Sequence, residues 1–301
     1  MSDVSLSKKP VSIAAQLIFI FGWLLTIVFI SAFGSDSGEQ DVASLGLSPA
    51  IIRAVIVFQG VLVFILPVVF FLFILRRTTF NFLTITTGFN PMLLIFGILA
   101  ILFSYPLIEW VGNLNAALQL PSGLQEVEQW MKGKEKESAF AAESLLKDKS
   151  VTGLIGNLLT IAFTAAFSEE LFFRGMMQKT LLKTRLNAHF AIWLTAFIFS
   201  AIHLQFYGFL PRLFLGAILG YLFYFSGNLW VSITAHFVNN ALVVLVGYFS
   251  SDVALNPLEN SNETTMFGTH PVFAAVSLIM VFGVLFFIKR NYQQKALEID
   301  A

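Results

Sequence analysis

The chain has 301 residues, of which 57% are hydrophobic and 12% charged, against roughly a quarter charged in an ordinary soluble domain. Its formal net charge is zero, so nothing supports binding to nucleic acid, which requires a basic face to displace counterions. Cysteine is absent, which excludes disulfides, thiolate metal sites and a cysteine nucleophile.

Eight apolar runs follow one another along the chain: 11–33, 51–75, 91–111, 151 onward through the stretch AAFSEELFFRG, 188–206, 210–225, 229–249 and 272–288. About 20 residues at 1.5 Å of rise cover the roughly 30 Å of a bilayer core, so each is long enough, or nearly so, to cross as a helix. Isolated strands would leave backbone groups unpaired in lipid, so the predicted fold class is all-α: a polytopic membrane protein of about eight transmembrane helices. The first run follows Lys8 and Lys9 as in a signal peptide. It exceeds the usual apolar core of about 7 to 15 residues and no A-x-A site follows, so it reads as a retained span.

The chain divides into 1–150, with three spans and a polar loop at 113–150; 151–250, a helical core; and 251–301, with a loop, the final span and a tail. Lys and Arg mark the cytoplasmic side of short loops. With eight alternating spans, Lys8, Lys9, Arg76, Arg77, Lys179, Lys183, Arg185, Lys289, Arg290 and Lys295 share one side. The loops at 34–50 and 250–271, without Lys or Arg, take the other. Both termini are then expected in the cytoplasm and the protein in the cell membrane. The 113–150 segment carries five Lys and six acidic residues, and reads as a solvated or interfacial connector on the outer side.

An ionisable side chain at a helix centre costs about 2.5 to 3.5 kcal/mol on insertion scales, so those that remain in the spans are functional candidates. Apart from span ends they are Glu169, Glu170, Arg174, His203 and His236, with Asn240 one turn beyond His236. Glu170 and Arg174 are four apart, on one helical face, in the favourable order for an ion pair. Glu169 is rotated about 100° from Glu170 and is left free for chemistry. His236 and Asn240 share a face, with Asn239 turned aside. Counting 1.5 Å per residue from turns near Leu186 and residues 226–228 brings Glu169, His203 and His236 to one depth, in a site expected to open towards the cytoplasm.

Three motifs then stand in order. EELFFR, from Glu169 to Arg174, fits E-E-x-x-x-R; FSAIH, from Phe199 to His203, fits F-x-x-x-H; HFVNN, from His236 to Asn240, fits H-x-x-x-N. With these motifs the sequence resembles the CPBP family of intramembrane proteases, which includes the CAAX prenyl endoprotease and bacteriocin-immunity membrane proteins. The resemblance covers roughly residues 150 to 250 and places the site on the fourth, fifth and seventh spans. It implies that Glu169 is the catalytic glutamate, that His203 helps to bind and activate water, and that His236 and Asn240 stabilise the oxyanion. Glu170, Arg174 and Phe199 would support them.

The implied activity is hydrolysis of a membrane-associated peptide or protein, with CAAX-type processing included. Zinc is open as a cofactor: Glu169, His203 and His236 form a recognised type of ligand set, but not at the compact H-E-x-x-H spacing. Two other readings compete. One is a non-catalytic membrane immunity or binding protein using the same cavity; the other is a transporter with a Glu/His proton relay, for which no inverted repeat is legible.

Overall fold

A computed structural model describes residues 10–33, 47–76, 80–84, 90–118, 120–250 and 270–299. Lys8, Lys9, Arg77 and most of the 34–50 and 250–271 loops lie outside these residues. The described residues form nine helices of more than one turn or two, with a short 3₁₀ turn at Phe80–Leu83 and another at Ser122–Leu124, and no strand. They are α1 (Ile13–Phe33), α2 (Pro49–Arg76), α3 (Pro91–Ala116), α4 (Gln125–Leu146), α5 (Val151–Leu182), α6 (Ala188–Ala201), α7 (Phe209–Ser226), α8 (Leu229–Phe249) and α9 (Pro271–Ile299).

Local chemistry sets the boundaries. Ser48, Asn90, Ser150, Asn187 and Asn228 cap helix N-termini, each side chain accepting a backbone N–H of the first turn, and proline follows Ser48 and Asn90 at the first helical position. Gly227 closes α7 at φ 61°, in the left-handed region where a glycine carries no Cβ penalty. Pro106 sits inside α3, and Ser277 of α9 mends the ladder there: its hydroxyl donates to the Phe103 carbonyl and accepts from the Leu107 N–H at 3.3 Å.

Seven helices are long and apolar enough to cross a membrane: all but α4 and α6. The chain is therefore an all-helical, polytopic membrane protein. The span expected over 188–206 is shorter in the structure, because α6 ends at Ala201 after 14 residues, about 21 Å. Two features stop it. His203 turns its ring back onto the Phe199 carbonyl, and Leu204 adopts φ 54°, which no α-helix accommodates. The chain then runs through 202–208, pinned by Asn115 of α3, which donates to the Phe206 carbonyl at 2.8 Å and accepts from the Leu210 N–H at 2.6 Å.

The 113–150 segment is more than a solvated connector. It contains α4, whose Glu135, Leu145 and Leu146 are buried, with Leu146 packed closely on Gly247 of α8. The α4–α5 junction is tied down on two sides. Arg53 of α2 bonds Asp148 and Asn157, each at 3.0 Å, and Lys149 donates to the carbonyls of Gly247 and Ser250 of α8.

Candidate active site

Three helices build the site. Helix α5 is α-helical over Ala165–Glu170 but widens to π-helical turns on either side, at Leu158–Thr164 and Leu171–Gln178. Such turns carry an extra residue per backbone ring, and they concentrate at functional positions. Glu169 and Glu170 stand between them. Their roles divide as the helical period predicts: Glu170 is fully buried, whereas the Glu169 side chain keeps 13% of its exposure.

Glu170 Oε1 accepts from Arg174 Nη1 at 2.7 Å and from His236 Nδ1 at 2.9 Å. Arg174 Nη2 donates to the Gly216 carbonyl of α7 at 2.9 Å, and its guanidinium lies 4.8 Å from the Phe199 ring centroid. This charge cluster, entirely removed from solvent, joins α5, α6, α7 and α8. Phe199 is its apolar hub: the rings of His203 and His236 meet it edge-on, with centroids at 5.2 and 5.9 Å.

The hydrogen bonds assign both imidazole tautomers. The Phe199 carbonyl can only accept, so His203 Nδ1, 2.7 Å away, carries a proton and Nε2 is left with its lone pair. His236 Nδ1 likewise donates to the Glu170 carboxylate, and its Nε2 lies 4.0 Å from Glu169 Oε2. Asn240 donates to the Ile161 carbonyl, in the first π-helical turn, at 3.3 Å and accepts from Asn239 at 3.1 Å. One of its two amide N–H groups is thereby used and the other is left for a ligand.

Glu169, Phe199, His203, His236 and Asn240 all line one cavity of about 460 Å³ between α3, α7 and α8. Glu170 and Arg174 stand behind it and position His236. Three lining residues were not singled out by sequence reasoning. Glu109 and Arg212 lie at span ends, where charge is unremarkable, and Asn239 was expected to turn aside but borders the cavity beside Asn240.

A metal fits poorly. Among the described residues no group of three His, Asp or Glu side chains is placed to hold an ion, so the set Glu169, His203 and His236 is not gathered as ligands.

The opening was expected towards the cytoplasm, at the basic turns; the structure places the site at the other end of the bundle. His203 and the 202–208 segment lie at the end of α6 opposite the 183–187 turn. The same end carries α4, and Lys134, Glu137 and Ser138 of α4 line a second cavity together with Glu169 and His203. The site therefore opens on the face that bears α4, not on the face of the basic turns. The depth count brings Glu169, His203 and His236 together, as the cavity does, but ties them to the wrong end of the bundle, because α6 ends early and α5 contains π-helical turns.

Comparison with known proteins bears on the same segment. Residues 151–242 match the family model described as type II CAAX prenyl endopeptidase Rce1-like. The match begins at the first residue of α5 and ends two residues beyond Asn240, so all three motifs fall inside it. The chain is also 29% identical over 92 residues to an uncharacterized protein, YpbD, of Bacillus subtilis (strain 168). That stretch covers 29% of this chain and 44% of YpbD, so the match spans less than half of its relative. No solved structure matches. The matched segment contains every side chain of the Glu170, Arg174 and His236 cluster, while α1 to α4, which complete the cavities, lie outside it.

Proposed function

We propose that the protein is an intramembrane endopeptidase that hydrolyses a membrane-associated peptide or protein with water activated by Glu169. The observation that carries this reading is the convergence of Glu169, His203, His236 and Asn240 on one cavity. The Rce1-like match supports the same reaction class.

The tautomers define the steps. Water held between Glu169 and the His203 Nε2 lone pair gives a proton to the Glu169 carboxylate as its oxygen bonds to the peptide carbonyl carbon. The carbonyl electron pair moves onto oxygen, and the Asn240 amide N–H donates to the oxyanion. When that pair returns to carbon, the C–N bond breaks and Glu169 passes its proton to the departing nitrogen, leaving an acid and an amine. His236 has a conditional part: with Nδ1–H engaged by Glu170, it donates to the oxyanion only as the imidazolium. Glu170 holds the ring in place through that bond, as a buried carboxylate does behind a catalytic histidine.

Substrate is membrane-associated because the site lies among lipid-crossing helices; CAAX-type processing is one such reaction. The site belongs to the outer side of the cell membrane and the termini to the cytoplasm, following the basic residues at Lys179, Lys183, Arg185, Lys289 and Arg290. The test is cleavage of a membrane-peptide library by purified protein, wild type beside Glu169→Ala, with and without a zinc chelator. Cleavage by the wild type alone, unchanged by the chelator, is expected. Equal cleavage by both forms sinks the assignment to Glu169, and chelator-induced loss restored by zinc returns the metal mechanism.

A further inference from the structure

Two cavities meet at the same pair of side chains. The first, about 500 Å³, lies between α1, α2 and α5 and includes Ile27, Val63 and Ser168. The second, about 460 Å³, lies between α3, α7 and α8 and includes Glu109, Arg212 and Val243. Glu169 and His203 line both, and their side chains are the wall between them. Each is of ordinary size for a ligand site. A single compact ligand would need one of them; two, placed on either side of a reactive group, fit a ligand that continues past that group in both directions.

Helix α4 lines the first cavity and reaches a wall residue of the second. Lys134, Glu137 and Ser138 line the first cavity. Glu135 turns the other way, is 3% exposed, and interacts with the charge of Arg212, which lines the second. Arg212 in turn donates to Gln205 of the first cavity. One helix thus borders the first cavity and, through Glu135 and Arg212, touches the edge of the second.

We propose that the two cavities are the two arms of one substrate channel, and that the substrate is an extended polypeptide segment lying in both arms, with its scissile bond at the Glu169–His203 wall. This rests on the endopeptidase reading and adds where each side of the substrate is recognised. Residues before the cut bond are read in one arm and residues after it in the other.

The experiment profiles cleavage of a random dodecapeptide library by mass spectrometry, using the full chain and two variants that fill one arm each, Val63→Trp and Val243→Trp. The expected result is that each variant alters residue preference on one side of the cut bond only, and that the two sides are opposite. Changes on the same side from both variants, on both sides from each, or no change from either, overturn the channel while leaving the peptidase reading intact. No cleavage by wild type overturns both. The smaller Val63→Phe and Val243→Phe give the same comparison where a tryptophan variant fails to fold.

Discussion

At the scale of single residues, the site is a division of labour between adjacent glutamates. Glu170 is fixed by Arg174 and His236, and Glu169 is left facing the cavities. A buried ion pair contributes little net stability, but removing one partner strands a charge in a dry interior, at a cost of about 3 to 5 kcal/mol. Arg174→Met is therefore expected to lower the midpoint of thermal unfolding in detergent sharply, and Glu170→Gln in the same chain to recover part of that loss. Asn240 makes the opposite test, of chemistry with little effect on fold. Its bond to Ile161 is long, 3.3 Å, and its free N–H is assigned to the oxyanion. Asn240→Ala should reduce kcat by about 10²- to 10³-fold with little change in KM; a loss confined to KM would show that the amide binds ground state and transition state alike.

At the scale of elements, α4 borders the site at Lys134, Glu137 and Ser138. Burial raises the Glu135 carboxyl above the usual carboxylate range, while the Arg212 charge and the Tyr207 backbone N–H act against that shift. A carboxyl whose pKa is higher folded than unfolded stabilises the docked state most at low pH, and that contribution is lost as pH rises through its folded value. Protection of α4 amides against hydrogen exchange, corrected for intrinsic rate, should thus fall between acid pH and neutrality, and Glu135→Gln should flatten that fall. A pH dependence unchanged by the substitution would remove Glu135 as its source. Helix packing elsewhere rests on small residues. Gly220 of α7 leaves no room for a Cβ, which would stand 2.9 Å from Gln178 Oε1 and from Ile192, so α5, α6 and α7 approach closely behind the charge cluster.

For the whole molecule, the open question is which side of the membrane the channel faces, and the chain is suited to answering it because it has no cysteine of its own. Ser138 of α4 lines the first cavity, and Leu186, 41% exposed, marks the opposite end at the basic turn. A membrane-impermeant maleimide applied to intact cells should label Ser138→Cys and spare Leu186→Cys, with the reverse in inverted vesicles. The opposite pattern would place the channel on the cytoplasmic side and show that the charge rule misorients this protein.

The sequence alone determined that the protein crosses the membrane, that it is helical, and that Glu169, His203, His236 and Asn240 belong together. Those features follow from local rules: the length of an apolar run, the cost of charge in lipid, and the helical period that separates Glu169 from Glu170. What only the tertiary structure decided depends on contacts between distant segments. The early end of α6 required Leu204 at positive φ and the anchoring of the following loop by Asn115, 95 residues from Leu210. The docking of α4, the tautomer of His236, the place of Arg212 and Asn239 at the cavity, and the face on which the site opens are likewise set by partners far along the chain. No period within a single helix encodes them.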